Sequence, residues 1–521
     1  MSNNYRYRKY VGEKDFSNRF ATPEEIESLL NEVDLTKDEL PLNSGGAAFI
    51  SDTKTAYVDK GDYHTLILGA TGSMKTRLFI LPTVYTLGLA GENMVITDPK
   101  GEIYEKTSGF LEKKGYDVKV LNLRDMNHSD CWNPLEESYH LYHSGKKEEG
   151  LRLAKEFVTV LLNRPMRISR DIFWPMSAKQ FLQGVVEILV RGAPSVDEAN
   201  IASALSFFSY TKDENGDNKH TPLRSFCEKL PPENPIKQNL EAAIANAPVT
   251  MAGILGQASS SLGPFSISKS LQKLSSSSTI DIHCFKDVEK KHAIFVIVPD
   301  EVTTYHFFVS SFIKQIYSAA INDAQSFPDG ALPRRLNFLL DEFANIPEIP
   351  EMSTMITAAR SRNVRFYLVV QSDNQLKSNY GEEGETIKTN CLVWVYLTSK
   401  EVPLIKQVQL LTGDSNRSKN SKPLITEYEL STLKKVFGKD GGAEAIVLIS
   451  RSRAYKTFLP DISRYEQFVA YPPKVLPVTD GGISFFDVEG LCTNLDEAEI
   501  LKIYTDAYSG NDVSLFVKSF K

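Results

Sequence analysis

Residues 64–76 read HTLILGATGSMKT, and no other stretch of the chain limits the fold as tightly. HTLILGA is a short apolar run, of the length of a strand buried on both faces. It breaks at Gly69 into a glycine-containing loop. KTRLFILPTVYTLGL then carries helical periodicity, with Pro82 expected to bend the helix. NMVITDPKGE is a second strand ending in a turn, and DVKVLNL is a third. Strand, helix and strand at this spacing are the signature of a parallel α/β sheet.

Strand-like runs return late in the chain: HAIFVIVPD (292–300), LNFLLDE (336–342), RFYLVVQS (365–372), CLVWVYLT (391–398) and EAIVLIS (444–450). Between the two strand-rich regions the periodicity is helical, as in EEGLRLAKEFVTVLLNR and SAKQFLQGVVEILVRG. A serine-rich stretch, 257–282, closes this helical part. The chain of 521 residues is too long for one core. The expected organisation is an N-terminal segment (1–57), a discontinuous α/β domain (58–135 and 283–470), an inserted all-α domain (136–282) and a C-terminal tail (471–521). In the first segment TPEEIESLLNEV (22–33) reads as a helix, with Thr22 and Glu25 forming a capping box. In the tail LDEAEILKIYTDAY (495–508) reads as another.

Composition narrows the class. The five cysteines form no CxxC pair, which argues against a zinc site or disulfide framework and for a reducing compartment. No apolar run approaches the ~18 residues of a membrane span, and MSNNYRYRKYVGEKDF lacks a signal-peptide core. A soluble chain without a transmembrane segment is therefore expected. A net charge of −7 argues against a protein coated in nucleic acid, but not against a local basic surface. NRPMRISRD (163–171) and EKKH (289–292) are short basic stretches of the kind that usually form solvated faces.

The chemistry lies at two strand ends. Gly69, Ala70, Thr71, Gly72, Ser73, Met74, Lys75 and Thr76 follow the phosphate-loop pattern G-x-x-x-x-G-K-[ST], except that Met74 replaces the second glycine. The backbone N–H of residue 74 survives any side chain, Lys75 can still reach phosphates, and Thr76 can still ligate Mg2+. LNFLLDEF runs into Asp341 and Glu342 at a strand's C-terminal end, where open α/β sheets bind ligands. One carboxylate could hold Mg2+ and the other activate water. The plain alternatives are a generic glycine turn and a solvated acidic turn.

These segments together resemble the TraG/TraD-type coupling proteins of conjugation and type IV secretion. The resemblance is carried by GATGSMKTR, by ITDPKGEIYEKTSGFLEKKGYDVKVLNL and the WNPL that follows it, by FLLDEFANIPEIPEMSTMITAARSRNVRFYLVVQSDNQLKSNYG (338–381), and by KPLITEYELSTL (422–433). It spans roughly 64–470. Three departures stand out: Met74, the absence of the family's N-terminal membrane helices, and AARSRN where the family tends to have glycine before the first arginine.

The resemblance implies a RecA-like P-loop NTPase fold, related to FtsK and HerA, with a mostly parallel sheet and an inserted all-α domain. It implies ATP and Mg2+ as cofactors. Gln371 would sense the γ-phosphate, and Arg360, or less well Arg362, would reach a neighbour's nucleotide. Asp98 and Lys100 would sit near the nucleotide, although DPKG is a good turn on its own. Expected partners are DNA in a ring lumen, a relaxase or other secreted protein, and secretion-channel components at the membrane. The active form would be a homo-oligomer, a hexamer, and the free chain a monomer. The location would be cytoplasmic, at the inner face of the cell membrane. Two other readings stay open: an ATP-binding substrate receptor with little hydrolysis, and an FtsK/HerA-like translocase outside secretion.

Overall fold

The computed structural model of the chain describes residues 19–59, 63–212, 220–299, 301–346, 348–414, 422–468, 471–479 and 482–505. The opening stretch assessed above for a signal peptide, and the end of the expected 495–508 helix, lie outside the described residues. The chain forms two compact units. The first takes the chain up to Val118, Phe285–Ile294 and Ala320–Lys474; the second takes Lys119–Cys284, Phe295–Ala319 and the chain from Val475 on.

The first unit begins with a small antiparallel sheet of Leu30–Asp34 (β1), Ala48–Ser51 (β2) and Thr55–Asp59 (β3), ordered β1-β3-β2. The helix expected over 22–33 is only half present. The Thr22–Glu25 capping box forms and starts a helix, but that helix ends at Glu27. Leu30 and Val33 are buried from β1 instead, because pairing with β3 supplies backbone partners that outweigh helix propensity.

The main sheet is built from Thr65–Gly69 (β4), Asn93–Asp98 (β5), Tyr116–Asn122 (β6), Lys291–Ile297 (β7), Leu336–Leu340 (β8), Val364–Val370 (β9), Val393–Thr398 (β10), Lys435–Val436 (β11), Gly442–Ile449 (β12) and Tyr455–Pro460 (β13). Its order is β11-β12-β10-β4-β9-β8-β5-β7-β6, with β13 beside β12. The unit boundaries fall inside β6 and β7. The pairs β10–β4, β4–β9, β9–β8 and β8–β5 are parallel, and β12 and its neighbours are antiparallel. Every residue of β4, β5, β8 and β9 is buried, as strands covered on both faces require. Pro82 does not kink a continuous helix. Residues Thr76–Ile80 form one wide turn, the Leu81 N–H donates to Thr76 O, and the α-helix Leu81–Leu89 starts with Pro82 in its first turn, where a missing N–H costs nothing.

The second unit is helical. Phe173–Gly192 is its central helix, packed against Lys147–Ile168, Pro235–Ile244 and Pro248–Ser261. Phe181, Val185, Ile188 and Leu189 are fully buried on it. Beside them Glu187 is ion-paired to Arg191 at 2.9 Å and to Lys155 at 2.7 Å. Residues after 475 belong to this unit: the Phe486 ring stacks with Phe207, Tyr504 meets Phe226 edge-on, and Asn200 Nδ2 donates to Ser484 O at 2.8 Å. Among the described residues no helix is long and apolar enough to cross a membrane.

Candidate functional site

β4, β9 and β8 are neighbours and parallel, so the loop after Gly69, Gln371 after β9 and Asp341 after β8 emerge side by side. The loop is folded tightly. Ala70 N donates to Thr398 O at 2.9 Å and Ser73 N to Ala70 O at 3.0 Å. Gly72 takes φ +78°, and Met74 takes φ +66°. The position that the pattern reserves for glycine is thus left-handed here, with methionine in it. Gly69 has no room for a side chain, since a Cβ there would lie 2.5 Å from Ser73 Oγ. That hydroxyl is buried without a hydrogen-bond partner among the described residues.

Lys75 is buried and folded back on its loop, its Nζ donating to Gly69 O at 2.7 Å. Burial pushes its ammonium below the ordinary lysine range, against the pull of the Glu342 and Asp341 carboxylates. Thr76 Oγ1 donates to Asp341 Oδ2 at 3.0 Å, and Thr97 Oγ1, from the end of β5, donates to the Asp341 carbonyl at 2.9 Å. Burial, helped by the Glu342 charge, pushes the Asp341 carboxyl up to about 7, while Thr76 and Lys75 oppose the shift. Glu342 takes φ +53°, and its carboxylate accepts from Gln371 Nε2 at 2.5 Å and from Asn345 Nδ2 at 3.2 Å. Thr71 Oγ1 donates to Gln371 Oε1 at 2.7 Å. A chain of hydrogen bonds therefore runs from the loop through Gln371 to Glu342.

The remaining sequence candidates divide. Asp98 is buried, and Oδ2 accepts from Tyr104 N at 2.7 Å, closing the start of the helix Glu102–Lys113. Burial pushes its carboxyl up to about 6 in spite of the backbone N–H groups around it. Lys100 is exposed in the turn before that helix. Arg360 and Arg362 form the short turn before β9, so they lie at the opposite end of that strand from Gln371. Seven strand residues put roughly 20 Å between the two ends. Arg360 is exposed and covers the Tyr63 ring at 5.4 Å, and Arg362 Nη1 donates to Ser361 Oγ at 2.9 Å.

Five residues near the loop were not singled out from sequence. Thr97 holds the Asp341 backbone carbonyl, and Asn345 donates to the Glu342 carboxylate. Arg77, just after Thr76, is held bidentately by Asp461 at 2.8 and 2.6 Å, and Lys435 Nζ donates to Gly72 O at 2.6 Å. A strand-end threonine before Asp98 was a readable signal. Asp461 and Lys435 come from the antiparallel edge, and only the fold brings them near.

Known proteins match this architecture. Residues 22–423 match the family described as type IV secretory system conjugative DNA transfer. The conjugal transfer protein TraG of Escherichia coli is 24% identical over 379 residues, covering 68% of this chain and 55% of TraG. Protein VirD4 of Agrobacterium fabrum is 21% identical over 369 residues, covering 69% of this chain and 51% of VirD4. The chain thus spans about half the length of the curated relatives it matches. Among solved structures, the plasmid coupling protein TrwB in complex with ADP and Mg2+ superimposes with a TM-score of 0.60 at 17% identity, covering 88% of this chain and 97% of that one. TrwB bound to a non-hydrolysable ATP analogue gives 0.59 at 16% identity, covering 87% and 97%. That likeness establishes the fold as a RecA-like P-loop NTPase with a mostly parallel sheet and helical regions. By the span of the family match, the chain belongs to the type IV secretory system conjugative DNA transfer family.

Proposed function

We propose that this chain binds Mg2+-ATP on the 69–76 loop, hydrolyses it between two copies of itself, and drives DNA into a type IV secretion channel. The DNA travels alone or with an attached relaxase. One observation carries the reading: Thr76 Oγ1 and Asp341 Oδ2, 265 positions apart, meet at 3.0 Å beyond the C-terminal ends of β4 and β8, which flank β9. A hydroxyl beside a desolvated carboxylate is a fitting donor pair for Mg2+, which usually takes one or two protein oxygens and completes its shell with phosphate and water. Bound Mg2+ would neutralise charge on the β- and γ-phosphates.

The chain's own residues divide the remaining work. Backbone N–H groups of the loop cradle the phosphates, and Lys75 exchanges its bond to Gly69 O for a phosphate oxygen. Glu342, held by Gln371 and Asn345, takes the proton of the attacking water. Gln371 links that carboxylate to Thr71 and so senses whether the loop is filled. Arg360 lies too far along β9 to serve its own loop, which supports its use by a neighbouring copy. An active homo-oligomer follows, hexameric by family resemblance, with DNA in its lumen and a less active free monomer. The working location is the cytoplasmic face of the membrane, beside the channel. Asp98 is a helix-capping residue in this scheme, and Lys100 and Arg362 have no assigned step.

The test is ATPase rate against protein concentration, with and without single- and double-stranded DNA. The rate should rise faster than linearly and respond to DNA. Mixing Arg360→Ala chains with Glu342→Gln chains, each inactive alone, should restore part of it. Intact nucleotide binding without turnover at any concentration would replace this reading with that of a substrate receptor.

A further inference from the structure

The second unit carries a half-open cavity of about 290 Å3 beside the segment DCWNPLEE. Its walls are pinned by the serine-rich stretch that closes the helical part. Cys131 N donates to Thr279 Oγ1 at 2.9 Å, Trp132 N to Leu274 O at 2.9 Å, and Asn133 N to Ser278 Oγ at 2.9 Å. Trp132 is further fixed by the Phe308 and Phe312 rings at 4.7 and 4.9 Å.

Two independent features point to a ligand. The first is charge. Glu136, Glu137 and Asp281 all line the cavity, and among the described residues its lining holds no lysine or arginine. His283 Nε2 is 3.1 Å from Glu137, and His140 Nε2 is 3.9 Å from Glu136. Burial pushes the Glu136 carboxyl above its ordinary range, Asp197 and Asp281 adding to the shift and Ser278 and His140 opposing it. The second is Gln315, which is only 4% exposed and also lines the cavity. Its Nε2 donates to Pro134 O at 2.9 Å, while its Oε1 has no hydrogen-bond partner among the described residues. Pro134 O can only accept, so turning the amide over would lose that bond, and the atom left over is the oxygen acceptor. A buried acceptor without a donor is costly. Water could satisfy it but would not balance three acids.

We infer that this cavity binds a small organic cation of the alkylguanidinium or alkylammonium class, whose N–H donors are shared between Gln315 Oε1 and the carboxylates of Glu136 and Asp281. The size suits one such group, since the volume sits at the lower edge of the ~300–1,000 Å3 usual for ligand pockets. Among the described residues no three His, Cys, Asp or Glu side chains converge as metal ligands do. The same chemistry comes as a free alkylguanidine or as an arginine side chain.

Calorimetric titration of the full chain with agmatine, and with a short peptide carrying one arginine, tests it. Saturable 1:1 binding is expected for at least one of them. Tighter binding of the peptide assigns the cavity to a protein side chain, and tighter binding of agmatine to a free cation. Glu136→Gln should weaken either by about tenfold or more, the usual consequence of losing one charge-assisted hydrogen bond. Gln315→Leu, which removes the unpartnered oxygen at similar volume, should weaken binding. Butylurea, the neutral counterpart, should not bind. Absence of saturable binding by both cations overturns the inference. So does binding that Glu136→Gln and Asp281→Asn leave unchanged, equal binding of butylurea, or displacement of the cation by Mg2+ or Zn2+ at equimolar concentration. Unfolding midpoints of the variants identify any loss that is only structural.

Discussion

At the N-terminal ends of the main strands, Asp59 and Glu92 are buried acids with every oxygen met. Arg365 reaches both, at 2.5 and 3.2 Å, and Asn337, Tyr367 and the backbone N–H groups of Gly45 and Ala47 complete the set. Arg365 itself is fully buried and spends Nε on Asn337 Oδ1 at 2.8 Å. At the C-terminal ends, Asp341 and Glu342 are held by a hydroxyl, two amides and one backbone N–H. The nearby cation, Lys75, is bonded to a carbonyl instead. Backbone strain divides the same way. The left-handed residues beside Arg335 at the closed end are Asn43 and Asn363, and asparagine tolerates that region. At the open end, besides Gly72, they are Met74 and Glu342, which do not. One end is a finished network that fixes the sheet. The other is strained and electrostatically incomplete, as a site that awaits a charged ligand should be.

The comparison breaks most sharply on charge removal. Glu342→Gln should lower ATP turnover by at least about 100-fold, the usual worth of a general base, with nucleotide affinity and unfolding midpoint close to wild type. Wild-type turnover in that variant would take Glu342 out of the chemistry and make the open end merely acidic.

Loss of one charge at the closed end should act on stability instead. Arg365→Met leaves Asp59 and Glu92 buried without their shared cation and should cost about 3–5 kcal/mol in chemical denaturation. A cost below about 1 kcal/mol would mean that those carboxyls are already neutral in the folded chain and that the network is not a lock.

Asp98 sharpens the boundary between the two behaviours, being a capping acid near the open end. Its carboxyl is pushed up to about 6, from an ordinary value near 4. The folded chain therefore holds that proton more tightly than the unfolded chain does. Its contribution to stability is full below pH ~4 and falls as pH rises through 6. Asp98→Asn keeps an acceptor for the Tyr104 N–H and removes the titration. Wild-type stability relative to this variant should drop by about 2–3 kcal/mol between pH 4 and pH 7. A constant difference would show that the helix start, not burial, governs Asp98.

Much of the open end was readable in the sequence, and little of the closed end. Gly69–Thr76 and Asp341–Glu342 follow apolar runs whose length and loop spacing betray a parallel sheet. The closed end offers no such pattern. Arg365 reads as the polar flank of RFYLVVQS, and Glu92 as a turn residue before NMVITD, yet both are wholly buried. Nothing local distinguishes a charge at a strand's start that faces water from one that meets two partners about 270 and 300 residues away. Residues 30–34 carry their apolar side chains three apart, which suits one helical turn as well as a strand, and only pairing with β3 decides. The place of Arg360 was also invisible. Its role came from resemblance, and its distance from its own loop follows from the length of β9.

Met74 carries the smallest effect and tests the claim of strain most directly. At φ +66° an L-residue is about 1–2 kcal/mol less favourable than in its ordinary conformations. Glycine removes that penalty but makes the unfolded chain more flexible, which returns about 0.4–1 kcal/mol. Met74→Gly should therefore stabilise the free protein by between about 0 and 1.6 kcal/mol. Nucleotide affinity should hold or improve, since the backbone N–H of residue 74 is unchanged. Met74→Val is the opposing control. A β-branched residue is the least suited to this backbone and should cost more than about 1 kcal/mol. If glycine and valine shift stability equally, the loop is relaxed in solution and residue 74 is not left-handed there. If glycine weakens nucleotide binding while leaving stability unchanged, the methionine side chain itself contributes to the site, and the departure from the glycine pattern is an adaptation of this chain rather than a tolerated strain.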